Sequence, residues 1–76
     1  MGDKNLTEKE MVRQLYLNSI MKRRIKVLNN KETFTKYSDW VNKMAKDLLE
    51  LGFSFQETQY IVNQAEDRAA SYQRKR

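Results

Sequence analysis

The strongest chemical signal in the chain is a run of cations. Lys22, Arg23, Arg24 and Lys26 all fall within the seven residues from Ile20 to Lys26. On a helix, where each residue turns by about 100°, Lys22, Arg23 and Lys26 share one arc. Cations placed in this way can each meet a phosphate and release the counterions condensed on a nucleic acid. Lys31 and Lys36 follow and extend the patch. Two other readings compete. The run is a solvated helix end whose cations are stabilised by the helix dipole, or it meets an acidic protein partner.

The charge distribution favours the phosphate reading. The net charge is +5 over 76 residues. Residues 1–37 carry nine Lys/Arg against four Asp/Glu, whereas residues 38–76 carry six of each, so the whole excess lies in the first half. A one-sided basic surface of this kind is an electrostatic footprint of nucleic-acid binding.

Other chemistries find little support. The chain has no Cys and no His. That removes disulfides, the usual zinc ligands and the commonest general base. Asp39, Asp47 and Glu50 lie beside Lys43 and Lys46, at spacings that read as charge pairing along one helix. No phosphate loop, nucleophile–base pair or metal-ligand spacing is present. The sequence therefore predicts a protein that is not an enzyme, with no cofactor and no small-molecule substrate. No apolar run approaches the roughly 20 residues a membrane span requires, and no secretory leader pattern appears. These features predict a cytoplasmic protein with no membrane partner. Abundant Lys, Asn, Glu and Gln beside no Pro point to an AT-rich bacterial or phage genome.

Three helices must position these residues. The absence of Pro, with only two Gly, favours long helices, and strand alternation is nowhere sustained. In the first helix, Thr7 and Glu10 form a capping box and Leu6 with Met11 a hydrophobic staple, which predicts a helix from Glu8 to about Leu28. The Asn29–Asn30 pair ends it, since Asn favours helix ends. The second helix, capped by Thr35 or Ser38, places Phe34, Tyr37, Trp40, Val41, Met44, Leu48 and Leu51 on one arc. Gly52 closes it as a residue able to adopt positive φ. Ser54 and Glu57 form another capping box for the third helix. There Ala65 and Ala69 would let a neighbouring helix approach closely.

The first helix is the irregular one. Val12, Leu15 and Tyr16 share one arc, while Leu17, Met21, Ile25 and Leu28 share a nearly opposite one. Either the helix breaks or kinks near Asn18–Ser19, both poor helix formers, or it is continuous and one half packs on a second chain.

The expectation is thus an all-α, small three-helix bundle with a long first helix. A disordered tail occupies residues 1–6, one helical domain residues 7–73 and a frayed basic end residues 74–76. The expected core is Trp40, Met44, Leu48, Leu51, Phe55, Ile61 and Val62. Phe34 and Phe53 are also read as core rather than as a stacking platform. Because small domains gain from association, a homodimer is expected.

Two functions follow. In the first, a small nucleic-acid-binding or regulatory protein holds phosphates with Lys22, Arg23, Lys26 and Lys31. Gln56, Gln59 and Asn63 then read bases, provided that the second and third helices form a helix-turn-helix. Leu48, Asp47 and Thr58 fit that motif badly, and Glu57, Glu66 and Asp67 would repel phosphates. In the second, an adaptor or inhibitor docks on a protein partner through apolar residues of the first helix: Val12, Leu15, Tyr16, Leu17, Met21 and Leu28.

Overall fold

The computed structural model describes the backbone of residues 3–74 and the side chains of residues 8–72. The fold is all-α. Helix α1 spans Asp3–Leu28, α2 Phe34–Glu50 and α3 Phe55–Arg74. Residues 1–2 and 75–76, expected as parts of the two tails, lie outside the described residues.

Side-chain pairs define the helix directions. Lys9 meets Glu57 at 3.6 Å, and Arg13, Gln14 and Leu17 share a groove with Tyr60, Ile61 and Gln64. Helices α1 and α3 therefore run side by side in the same direction. The guanidinium of Arg24, near the end of α1, lies over the rings of Phe34 and Tyr37 at the start of α2. Helix α2 therefore runs antiparallel to both. The 44 Å long dimension reflects α1, whose length is about 39 Å at a rise of roughly 1.5 Å per residue.

The core is built from Leu17 and Ile20 of α1, Tyr37 and Leu48 of α2, Phe53 in the second turn, and Ile61 and Ala65 of α3. Ala65 and Ala69 of α3 are fully buried. Thr58 is the buried polar residue, and its hydroxyl donates to the Ser54 carbonyl at 2.9 Å.

Several expectations are corrected here. Helix α1 begins at Asp3, so residues 3–6 are helical and Thr7 lies inside the helix rather than capping it. Glu10 pairs with Arg13 and Met11 is exposed, while the side chains of Leu6 and Thr7 lie outside the described residues. Of the two readings of α1, the continuous one holds, since the helix runs unbroken through Asn18 and Ser19. Its inward stripe is Arg13, Leu17, Ile20, Arg24 and Val27, at three- and four-residue spacing. Arg13 and Arg24 are only partly exposed on this stripe, because an arginine can lay its stem on an apolar surface while its head reaches solvent. Two cations inside this inward stripe made the helix look apolar on two sides.

The cap of α2 is Thr33, not Thr35 or Ser38. Its hydroxyl accepts from the Lys36 amide at 3.3 Å. Of the expected core, Leu48 and Ile61 are fully buried, and Trp40 and Val62 pack against the core from its edge. Met44 is only half-buried, whereas Leu51 and Phe55 are exposed. Gly52, at φ 104°, reverses the chain and turns Phe53 inward. Phe55, two residues on and opening α3, is left outside. No ion pair links Asp39, Asp47 or Glu50 to Lys43 or Lys46 among the described residues. Exposed pairs of that kind gain little over hydration.

Candidate nucleic-acid interface

The two helix–helix corners close in the same way. At the end of α2, Gly52 N–H donates to the Leu49 carbonyl and Phe53 N–H to the Leu48 carbonyl. At the end of α1, Asn30 N–H donates to Val27 and Lys31 N–H to Lys26. Each is a Schellman motif, with the left-handed position filled by Gly52 in one and by Asn30, at φ 60°, in the other. This motif brings two particular residues together, usually an apolar pair. At the α2 end the pair is Leu48 with Phe53, both buried. At the α1 end it is Lys26 with Lys31, both exposed.

Around that lysine pair the chain assembles a basic cleft, lined by Arg23, Lys26, Lys31, Glu32, Thr33 and Lys36. It holds four cations against one carboxylate. It also lies at the N-terminus of α2, where the helix dipole favours an anion. No acidic residue occupies the first turn of α2. At α3 the equivalent place is filled by Glu57, which accepts from the Ser54 amide at 2.8 Å and completes the expected capping box with Ser54. The Ser54 amide and Lys9 hold the Glu57 carboxyl below its ordinary pKa.

Arg23 is already engaged. Its Nε donates to both oxygens of Glu32, at 2.9 and 3.0 Å, and an Nη donates to Glu32 at 2.6 Å. Its guanidinium also lies 4.8 Å from the centre of the Trp40 ring. Hydrogen bonding by Arg23, with the added fields of Lys26 and Lys36, holds the Glu32 carboxyl below the usual carboxylate range. The same contact raises the Arg23 pKa. Arg23 therefore frames the cleft, while Lys26, Lys31 and Lys36 form no ion pair within 4 Å among the described residues, and Lys26 and Lys36 act on Glu32 only through their fields.

The sequence-derived phosphate residues thus divide. Arg23, Lys26 and Lys31 converge on the cleft, joined by Lys36. Lys22 is exposed on α1 and does not line it. Gln56, Gln59 and Asn63 are exposed on α3, and Gln56 and Gln59 lie toward the opposite end of the bundle. A helix-turn-helix does not bring them together with the cleft. The Tyr37 hydroxyl donates to Glu66 at 3.0 Å, which ties α2 to α3 about 20 Å along the chain from their turn, at roughly 1.5 Å per residue. Helices diverging at the roughly 90–120° of a helix-turn-helix would by then be far apart. The pair is a plain αα-hairpin.

The apolar residues proposed for protein docking divide as well. Leu17 is buried in the core, and Val12, Tyr16 and Met21 pack against it. Leu15 and Leu28 are exposed. Met11, absent from the expectation, joins Leu15 on an outward patch with Gln14 and Asn18.

Sequence reasoning missed two members of the corner. Glu32 sits nine residues from Arg23, beyond the reach of helix-spacing rules. Phe34, read as core, is 58% exposed beside the cleft. The lysine pair was accessible to reasoning, because Asn30 as the left-handed residue implies that Lys26 and Lys31 meet. Compared with models of known families, with curated proteins and with solved structures, the chain matches none.

Proposed function

We propose that this protein is a non-enzymatic nucleic-acid-binding protein that holds backbone phosphates in the cleft between α1 and α2. The observation carrying this reading is the motif that ends α1. It sets Lys31 beside Lys26 where the matching motif at the end of α2 sets Phe53 beside Leu48. Placing two like charges in a position that otherwise holds an apolar contact sacrifices stability, and an anionic ligand recovers it. Lys36 and the N-terminus of α2 add to the same field, while Arg23 and Glu32 fix the shape of the corner.

The test is fluorescence anisotropy of a mixed-sequence DNA oligonucleotide, as single strand and as duplex, at about 50 and about 200 mM salt. Three phosphate contacts predict a loss of roughly forty-fold in affinity over that range for the duplex and roughly twenty-fold for the single strand. The triple variant Lys26→Ala, Lys31→Ala, Lys36→Ala should lose most binding and most of the salt dependence. Absence of binding at low salt, or binding that the triple variant retains in full, would sink the proposal.

A second reading rests on Met11 and Leu15, which are 59% and 63% exposed on the outer side of α1. In it the protein is an adaptor or inhibitor, docking on a protein partner or pairing with a second copy through that patch. Sedimentation of the wild type and of Leu15→Lys would detect self-association. Salt separates the two readings, since apolar docking is insensitive to it while phosphate binding is not.

A further inference from the structure

We infer that the corner takes a single strand, stacking an unpaired base on Phe34 while the adjoining phosphates lie in the basic cleft. This rests on the nucleic-acid reading above and names its substrate class.

Phe34 opens α2 and is 58% exposed, but it is held in place. Its ring lies 5.9 Å from that of Tyr37 at a tilt of 44°, and Tyr37 is itself buried and bonded to Glu66. The Arg24 guanidinium lies 5.4 Å from the Phe34 ring centre. Phe34 also lines a second cleft, with Val27, Asn30 and Lys31. That cleft shares Lys31, Glu32 and Thr33 with the basic one. A fixed, exposed ring and a group of cations thus open on the two sides of one three-residue rim.

An exposed aromatic beside a track of cations is the arrangement that binds single strands with little sequence preference, because every base has a face to stack. A duplex presents edges and phosphates, and its bases reach a protein ring only after being unstacked. A duplex would therefore use the lysines without Phe34, whereas a strand uses both. Phe55 supplies an internal control. It is 67% exposed and opens α3 just as Phe34 opens α2, but it stands at the other end of the bundle, where Glu57 fills the first turn.

The probes are an oligothymidine strand of about twelve nucleotides, within the range a small binding domain covers, and a duplex of the same length, both followed by anisotropy. The wild type should prefer the strand. Phe34→Ala should weaken strand binding by roughly ten-fold and leave duplex binding unchanged. Phe34→Trp should retain strand binding, and Phe55→Ala should behave as wild type. Circular dichroism melting establishes that each variant is folded. If folded Phe34→Ala binds the strand as wild type does, while the triple lysine variant loses it, the stacking inference falls and the phosphate reading stands. If the wild type binds neither probe, both fall together.

Discussion

The two corners of this bundle share a backbone and differ in the side chains mounted on it. Each ends a helix in a Schellman motif, places a hydroxyl residue at the next cap (Thr33 or Ser54) and opens the following helix on an exposed phenylalanine. At the α2–α3 corner every further choice serves stability. Phe53 packs with Leu48 in the core, Glu57 returns the capping bond, and Lys9 lies over the Phe53 ring at 5.0 Å while pairing with Glu57. At the α1–α2 corner the same positions hold Lys31, Lys26 and Lys36, and the one carboxylate lining the cleft is held by Arg23. Backbone geometry is thus separable from what is mounted on it. Local rules that normally lead to burial are satisfied here with charges left in solvent.

The comparison breaks most visibly when its aromatics are truncated. Phe53→Ala removes a buried ring and should cost about 3–5 kcal/mol, which would leave so small a domain largely unfolded. Phe34→Ala should cost less than about 1 kcal/mol. Urea denaturation of the two variants measures the gap, and equal losses would mean that the corners are not built differently.

Next in size come the left-handed residues. Gly52 adopts φ 104°, and a Cβ there would meet nothing within 4 Å. Gly52→Ala therefore suffers only the backbone penalty, about 1–2 kcal/mol. Asn30 occupies φ 60°, which asparagine tolerates, so Asn30→Gly should change stability by about 0.5 kcal/mol or less. Thermal melting of both variants tests the ranking.

A transplant sharpens the comparison. Replacing Lys26 by Leu and Lys31 by Phe gives the first corner the apolar pair of the second. Stability should rise by about 0.5–1 kcal/mol while oligonucleotide binding is lost. A gain in stability with binding intact would show that these lysines do not carry the function.

The smallest effect concerns pH. The Arg23 contact depresses the Glu32 pKa in the folded state. Its contribution to stability is therefore fully present above the ordinary carboxylate value of about 4.3 and is lost as pH falls through the lowered folded value. The melting temperature should drop more between about pH 6 and about pH 3 in the wild type than in Glu32→Gln. Parallel curves would mean that the pair adds nothing measurable. Glu57 shifts in the same direction and supplies the drop that Glu32→Gln retains.

The sequence alone determined the features that depend on neighbours a few residues apart. These are three helices, an end at the asparagine pair, the Gly52 reversal and the Ser54–Glu57 box. Each rests on a bond or a backbone preference contained within about six residues, although the same kind of rule misplaced the caps of α1 and α2. The excess of charge in the first half was legible for the same reason. Tertiary packing decided which faces count. It laid α1 along α3, set the partly exposed Arg13 and Arg24 within the inward stripe and drew Leu17 and Ile20 into the core. It also chose Phe53 over Phe55 and Leu51 for the core. It joined Arg23 to Glu32 across nine residues and left Phe34 uncovered beside the lysines. A helix repeats its pattern on every side, and only the neighbour that packs against it determines which side is inside.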